Sequence, residues 1–144
     1  MKRNEEITLR SVQETEEYGK KLGEMAEPGT VIALIGDLGT GKTTLTQAIG
    51  RGLGVTEAIT SPTFTIVKEY RSGRLPLFHL DVYRIGDVSE MEELGYEEFF
   101  YGDGVCVIEW GDLIEEILPE DALRIEIRPG DGEGERVFHV SGGH

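Results

Sequence analysis

The segment Gly36-Asp37-Leu38-Gly39-Thr40-Gly41-Lys42-Thr43 satisfies the pattern G-x-x-x-x-G-K-[ST], and each required position has a physical task. Gly36 and Gly41 let the backbone turn with its N–H groups inward and no Cβ in the way. Those donors, with the start of the following helix, form a positive concavity for phosphate. Lys42 brings an ammonium group to the outer phosphates. The Thr43 hydroxyl is a hard oxygen ligand suited to Mg2+. Leu38, Gly39, Thr40, Gly41, Lys42, Thr43 and Thr44 are therefore the candidate contacts of a nucleotide's phosphates.

A phosphate loop that supports hydrolysis needs an acid for the Mg2+ shell and a group that places the attacking water. In open α/β sheets such groups lie at the carboxyl ends of strands. Asp81 and Glu109 each follow an apolar strand-like run, at 77–80 and 105–108. Strand alternation puts His79 on the same side as Asp81. An ordinary polar residue at a strand exit is the alternative for each acid, and the phosphate loop upstream favours the functional one. Thr60-Ser61-Pro62-Thr63-Phe64 suits a loop that contacts Mg2+ or the γ-phosphate, or else a strand-entry loop with self-satisfied hydroxyls. Asp37 would lie near phosphate charge, which favours an outward-facing role. Trp110 reads as core packing or as site lining. Arg84 reads as a phosphate contact or as one half of a surface ion pair.

These groups need a frame. The unbroken apolar run 31–35 directly before the glycine loop is the pattern of a strand buried on both faces. After the loop, Leu45, Ala48, Ile49 and Leu53 share one helical face, with Gly52 and Gly54 as the stop. Upstream, Thr8-Leu9 begins an edge strand. Ser11 with Glu14 forms a capping box for a helix that carries Tyr18, Leu22 and Met25 and ends at Pro28-Gly29. Downstream, 65–70 and 75–81 read as antiparallel strands around a turn at 71–74. Ser89 to Glu92 reads as a second capping box opening a short helix, and 96–100 adds helical turns. Residues 123–128 alternate apolar and charged, pairing with 136–140 across a glycine-rich loop. The fold class is α/β with a mixed sheet, parallel near the phosphate loop and antiparallel beside it.

The length of 144 residues suggests one domain over 1–144. The chain has 28 acidic against 14 basic residues, a net charge of −14. Such a chain repels phosphate backbones at long range; direct, independent nucleic-acid binding would need a local basic stripe, and none is seen. The charge serves solubility or offers an acidic face to a basic protein partner. No run of 18 apolar residues or signal-like segment is present. One cysteine excludes an internal disulfide framework, and a cytoplasmic protein is the simple reading. No Asn-Lys-x-Asp segment is present to support guanine binding, which argues against a GTPase. No Leu-Ser-Gly-Gly-Gln segment suggests a transporter ATPase. A small-molecule kinase is the competing enzyme reading, but between Asp81 and Val105 Arg84 is the only basic residue, which argues against a phosphate-clamping lid. A non-catalytic nucleotide switch is the other alternative.

Gly36 to Thr44, then Ser61-Pro62-Thr63-Phe64, then His79-Leu80-Asp81-Val82-Tyr83-Arg84, then Glu109-Trp110 together resemble the TsaE family (also YjeE or YdiB) over nearly the whole chain. The resemblance implies a P-loop NTPase-like three-layer fold and hydrolysis of ATP with Mg2+. It implies partners, TsaD with the transferase site and TsaB its non-catalytic paralogue, in making threonylcarbamoyladenosine in tRNA. The ATPase then resets or activates the partner complex and touches tRNA only indirectly. The matching motifs give Lys42, Asp81 and Glu109 as catalytic residues. Thr43 and Glu109 become Mg2+ ligands, Asp81 supports the metal shell or the attacking water, and Thr63 lies near the γ-phosphate. At the adenine end no sharp motif exists, and Ser11 and Arg128 are assigned by position alone.

Overall fold

Residues 30–35 form the strand around which the sheet is built. The computed structural model describes residues 3–36, 41–60, 62 and 67–143. Within them seven strands form one sheet: β1 (Arg3–Leu9), β2 (Thr30–Ile35), β3 (Val67–Tyr70), β4 (Leu77–Asp81), β5 (Val105–Glu109), β6 (Leu123–Pro129) and β7 (Arg136–Gly142). Their order is β1-β7-β6-β2-β5-β4-β3. β6, β2, β5 and β4 run parallel, whereas β3, β7 and β1 are antiparallel additions at the two sides. The mixed sheet read from the chain is thus observed, with its parallel part built around β2, the strand that leads to Gly36.

Both faces of the sheet are covered. Helices α1 (Val12–Met25) and α2 (Lys42–Leu53) lie on one side, where Leu45, Ile49 and Leu53 pack on Leu34, Val107, Ile125 and Phe138. Short helices α3 (Ser89–Leu94) and α4 (Tyr96–Phe100) and a 3-10 segment (Gly111–Ile117) cover the other. There Met91, Phe100 and Ile114 meet Ala33, Leu80 and Ile108. Each fully buried Leu, Ile or Phe contributes roughly 1.5–3 kcal/mol. Three layers result because β2, β4 and β5 are buried at successive residues and need cover on both faces.

Several local expectations change. The first capping box forms, with Ser11 Oγ accepting from Glu14 N at 3.1 Å. The Glu14 carboxylate, however, reaches one residue further back, to Arg10 N at 2.9 Å. The second box does not form: Val88 occupies the N-cap position and makes no side-chain cap. Instead, Asp87 Oδ1 accepts from Ser89 N, and Glu90 Oε2 accepts from Gly86 N and Asp87 N. Gly54, in the left-handed region at φ 87°, ends α2 alone. Gly52 lies inside α2, and a Cβ there would come 2.9 Å from Gly23 Cα on α1. Close approach explains that glycine better than helix termination does. The same approach rotates α1: its buried face is Thr15, Gly19 and Gly23, and Met25 is exposed. β1 is seven residues long, and β4 starts at Leu77. Residues 65 and 66 of the expected third strand lie outside the described residues. Among the described residues no helix is long and apolar enough to cross a membrane.

Candidate functional site

The site assembles where β2, β4 and β5 end and α2 begins. Gly41 opens α2 from the left-handed region at φ 97°, a conformation that favours glycine. Lys42 follows as the first helical residue and is 5% exposed. Its ammonium donates to the Gly36 carbonyl, the last described residue before the loop, and lies 3.6 Å from the centroid of the Trp110 ring. A buried ammonium needs such partners, because desolvation without them costs several kcal/mol.

Trp110 lines the site. Its backbone has φ 65°, the sole non-glycine positive φ among the described residues, at a cost of roughly 1–2 kcal/mol. The conformation turns the chain sharply after β5 and sets the ring between Lys42 and Tyr83, whose ring centroid is 4.7 Å away. Tyr83 and Arg84 are exposed on the turn after β4.

The two strand-end acids come together. β4 and β5 are parallel neighbours, with Asp81 opposite Glu109. Leu77, Val105 and Val107 belong to the core beneath α2, so alternation sends His79, Asp81 and Glu109 toward the same helix. Glu109 is 4% exposed. Thr43 Oγ1 donates to its Oε1 at 3.5 Å, a long contact, and its Oε2 lies 2.5 Å from His79 Nε2. Asp81 Oδ1 accepts from Tyr83 N at 3.0 Å. Burial holds the Asp81 carboxyl above the usual carboxylate range. The Tyr83 N–H opposes that shift, and the Glu109 charge adds to it.

Thr43 and Glu109 suit a magnesium ion by chemistry and placement. Mg2+ takes one or two protein oxygens and fills its octahedron with phosphate and water. Thr43 Oγ1 and Glu109 Oε1 are two hard oxygens already adjacent, beside the helix start that would face the phosphates. Among the described residues no group of three His, Cys, Asp or Glu side chains forms a metal cage.

A cleft of about 40 Å3 adjoins Gly41, between the starts of α1 and α2 and the β6–β7 connection. Val12, Thr15, Thr44, Gly134 and Arg136 complete its lining. Thr15 Oγ1 is buried and makes no hydrogen bond among the described residues. Ser11 precedes this cleft, and its hydroxyl is engaged in capping α1. Arg128 is not brought to it. Leu123, Ile125 and Ile127 face α1 and α2, so Arg128 projects from the opposite face, 3.0 Å from Glu6. Arg136 shares the parity of buried Phe138 and Val140 and lies on the cleft side. That parity was legible in the chain and would have singled out Arg136. Thr15 carried no signal. Leu38, Gly39, Thr40 and Thr63, with Asp37, Ser61 and Phe64, lie outside the described residues. Gln47 Nε2 to Ile59 O at 2.8 Å and Thr60 N to Tyr70 Oη at 3.2 Å fix the chain just before that second segment.

Residues 9–138 match the family described as threonylcarbamoyl adenosine biosynthesis protein TsaE. The chain belongs to the TsaE family. It is 52% identical over 131 residues to the tRNA threonylcarbamoyladenosine biosynthesis protein TsaE of Bacillus subtilis, covering 90% of this chain and 82% of that protein. It is 44% identical to the TsaE of Treponema pallidum, over 83% of this chain and 87% of the relative. The crystal structure of YdiB from Bacillus subtilis superposes with a TM-score of 0.84 at 41% identity, over all of this chain and 88% of that one. The family resemblance read from four motifs is therefore shown, as is the α/β fold it implied. A larger cavity, about 310 Å3, lies at the far end of β2 among Met25, Pro28, Thr30 and Asp121, away from the charged groups of the TsaE motifs.

Proposed function

We propose that this chain binds and hydrolyses ATP with Mg2+ in the cytoplasm, driving the TsaD–TsaB complex that modifies tRNA, without itself transferring the threonylcarbamoyl group or gripping tRNA. The observation that carries the reading is the convergence of Lys42, Thr43 and Glu109, two of them nearly buried, at the start of α2. Asp81 faces the same helix from the neighbouring strand. A buried cation, a hydroxyl and a carboxylate at a helix N-terminus form an arrangement for phosphate and a hard divalent ion.

Each residue has a role in that chemistry. Lys42 exchanges the Gly36 carbonyl for phosphate oxygens and neutralises charge that builds on the leaving group. Thr43 and Glu109 would hold Mg2+, which when bound would neutralise phosphate charge. Asp81 orients the attacking water, and burial raises its basicity for that task. Water adds to the γ-phosphorus as the bond to the β-γ bridging oxygen breaks, giving ADP and inorganic phosphate. The nucleoside end is assigned to the cleft of Val12, Thr15 and Arg136.

Reconstitution tests the reading. ATP hydrolysis by this chain should be low alone and rise on mixing with TsaD and TsaB. Lys42→Ala and Glu109→Ala should each lower stimulated hydrolysis by at least about 100-fold. Full stimulated hydrolysis by Glu109→Ala overturns the metal assignment. Unchanged threonylcarbamoyladenosine in bulk tRNA after depletion of the protein overturns the pathway.

A further inference from the structure

The buried imidazole of His79 belongs to no step described above, yet it makes a close contact, 2.5 Å, to the carboxylate at the centre of the site. We propose that His79 is a positioning residue: by donating from Nε2 to Glu109 Oε2 it fixes the carboxylate so that Oε1 is presented to Thr43 and the divalent ion. The inference rests on the reading of Glu109 as a metal-holding carboxylate.

His79 is fully buried, and its Nε2 lies 2.5 Å from Glu109 Oε2. Register explains the meeting. His79 pairs with Val107 on parallel β5, and Glu109 is the next residue of that strand on the same face. Nδ1 is buried and has no hydrogen-bond partner among the described residues. A hydrogen on Nδ1 alone would leave that donor unsatisfied and set the bare Nε2 lone pair against a carboxylate oxygen. The hydrogen therefore belongs on Nε2, and the imidazole donates. Glu109 ends up with its two oxygens divided: Oε2 is held by the imidazole from below, and Oε1 faces Thr43 at 3.5 Å. A glutamate has three rotatable bonds, and the hydrogen bond from His79 Nε2 to Oε2 narrows the orientations open to its carboxylate. Groups that orient metal-binding side chains in this way typically govern metal affinity by about 10–100-fold.

A packing role for the same pair makes different predictions. The test is Mn2+ affinity of the full-length protein, read by electron paramagnetic resonance with a non-hydrolysable ATP analogue bound. His79→Leu keeps the volume and removes the donor; Mn2+ should bind about 10–100-fold more weakly. Analogue affinity without metal should stay within about two-fold, because Lys42 and the loop are untouched. His79→Gln places an amide N–H near the Nε2 position and should recover Mn2+ affinity to within a few-fold. His79→Asn, whose amide corresponds to Nδ1, should not. Wild-type Mn2+ affinity in His79→Leu overturns the proposal, and so does a His79→Gln protein as weak as His79→Leu. If His79→Leu does not fold, the Gln and Asn variants decide alone: equal affinities refute the clamp, and a gap in favour of Gln supports it. Glu109→Gln separates this inference from the reading beneath it. Mn2+ binding lost in Glu109→Gln but intact in His79→Leu sinks only the role of His79. Mn2+ binding intact in Glu109→Gln sinks the metal assignment itself.

Discussion

Replacing Gly52 by alanine tests how the helix carrying Lys42 and Thr43 is seated. On propensity alone the change should help, because alanine inside a helix is favoured over glycine by at most about 1 kcal/mol. Packing opposes it. An ideal Cβ at Gly52 would lie 2.9 Å from Gly23 Cα and 2.9 Å from the Lys20 carbonyl carbon, with the carbonyl oxygen nearer still. Carbon atoms rest at about 3.5–4.0 Å, and the Lys20 oxygen is the tightest contact, so α1 and α2 must separate by more than about 1 Å. The obstructing atoms are backbone on α1, so no rotamer change relieves the clash. Overpacking costs about 1–3 kcal/mol, and an unyielding neighbour places this case at the upper end. Setting about 3 against about 1 leaves a net loss of about 2 kcal/mol. With a urea m-value of about 2 kcal/mol per molar, the midpoint should fall by about 1 M at unchanged m. Equilibrium urea unfolding followed by far-ultraviolet circular dichroism measures it. A midpoint equal to or above that of the unaltered protein would refute the argument, because propensity would then outweigh the helix–helix contact. Gly23→Ala should behave similarly, since its Cβ meets Gly52 Cα at 2.9 Å. The double variant should lose less than the sum, because one separation of the helices relieves both clashes.

Other outcomes follow from the site and the core. Because burial raises the Asp81 carboxyl, the folded chain holds that proton more tightly than the unfolded chain, and stability from it is lost as pH rises through the folded-state value. Asp81→Asn, which keeps an acceptor for Tyr83 N–H, should therefore raise the melting temperature of the nucleotide-free protein at pH 7. The gain should shrink on acidification toward the unfolded-state value of about 3.9; a gain that persists there contradicts the assignment. Cys106 is fully buried within β5, and burial pushes its thiol up, so a maleimide should label it only at the rate of unfolding. Prompt labelling in native buffer would show that β5 is not the buried interior strand described. Trp110 is the only tryptophan and lies against the Lys42 ammonium, so Lys42→Ala should change the tryptophan emission before any nucleotide is added. An unchanged spectrum would disprove that contact.

What the chain determines by itself is local. The apolar run of β2, the glycine loop and the amphipathic face of α2 are consecutive in sequence, and steric and hydrophobic periodicity write them directly. The alternation of Ile125, Ile127, Phe138 and Val140 likewise dictated a hairpin with one buried face. Asp81 and Glu109 were legible as strand-end acids for the same reason. Tertiary structure decided which of these local features meet. β4 lies beside β5 although a helix pair separates them in the chain, and only that pairing sets Asp81 opposite Glu109 and brings His79 within 2.5 Å of its carboxylate. Close helix packing selected the small face of α1 and exposed Met25, against the simple reading of its apolar spacing. The β6–β7 hairpin put Arg136 beside Gly41 and Arg128 on the far face. Periodicity tells which way a side chain points within its own element. Its neighbours depend on contacts between segments far apart in the chain, whose energies appear only when the sheet and helices close together.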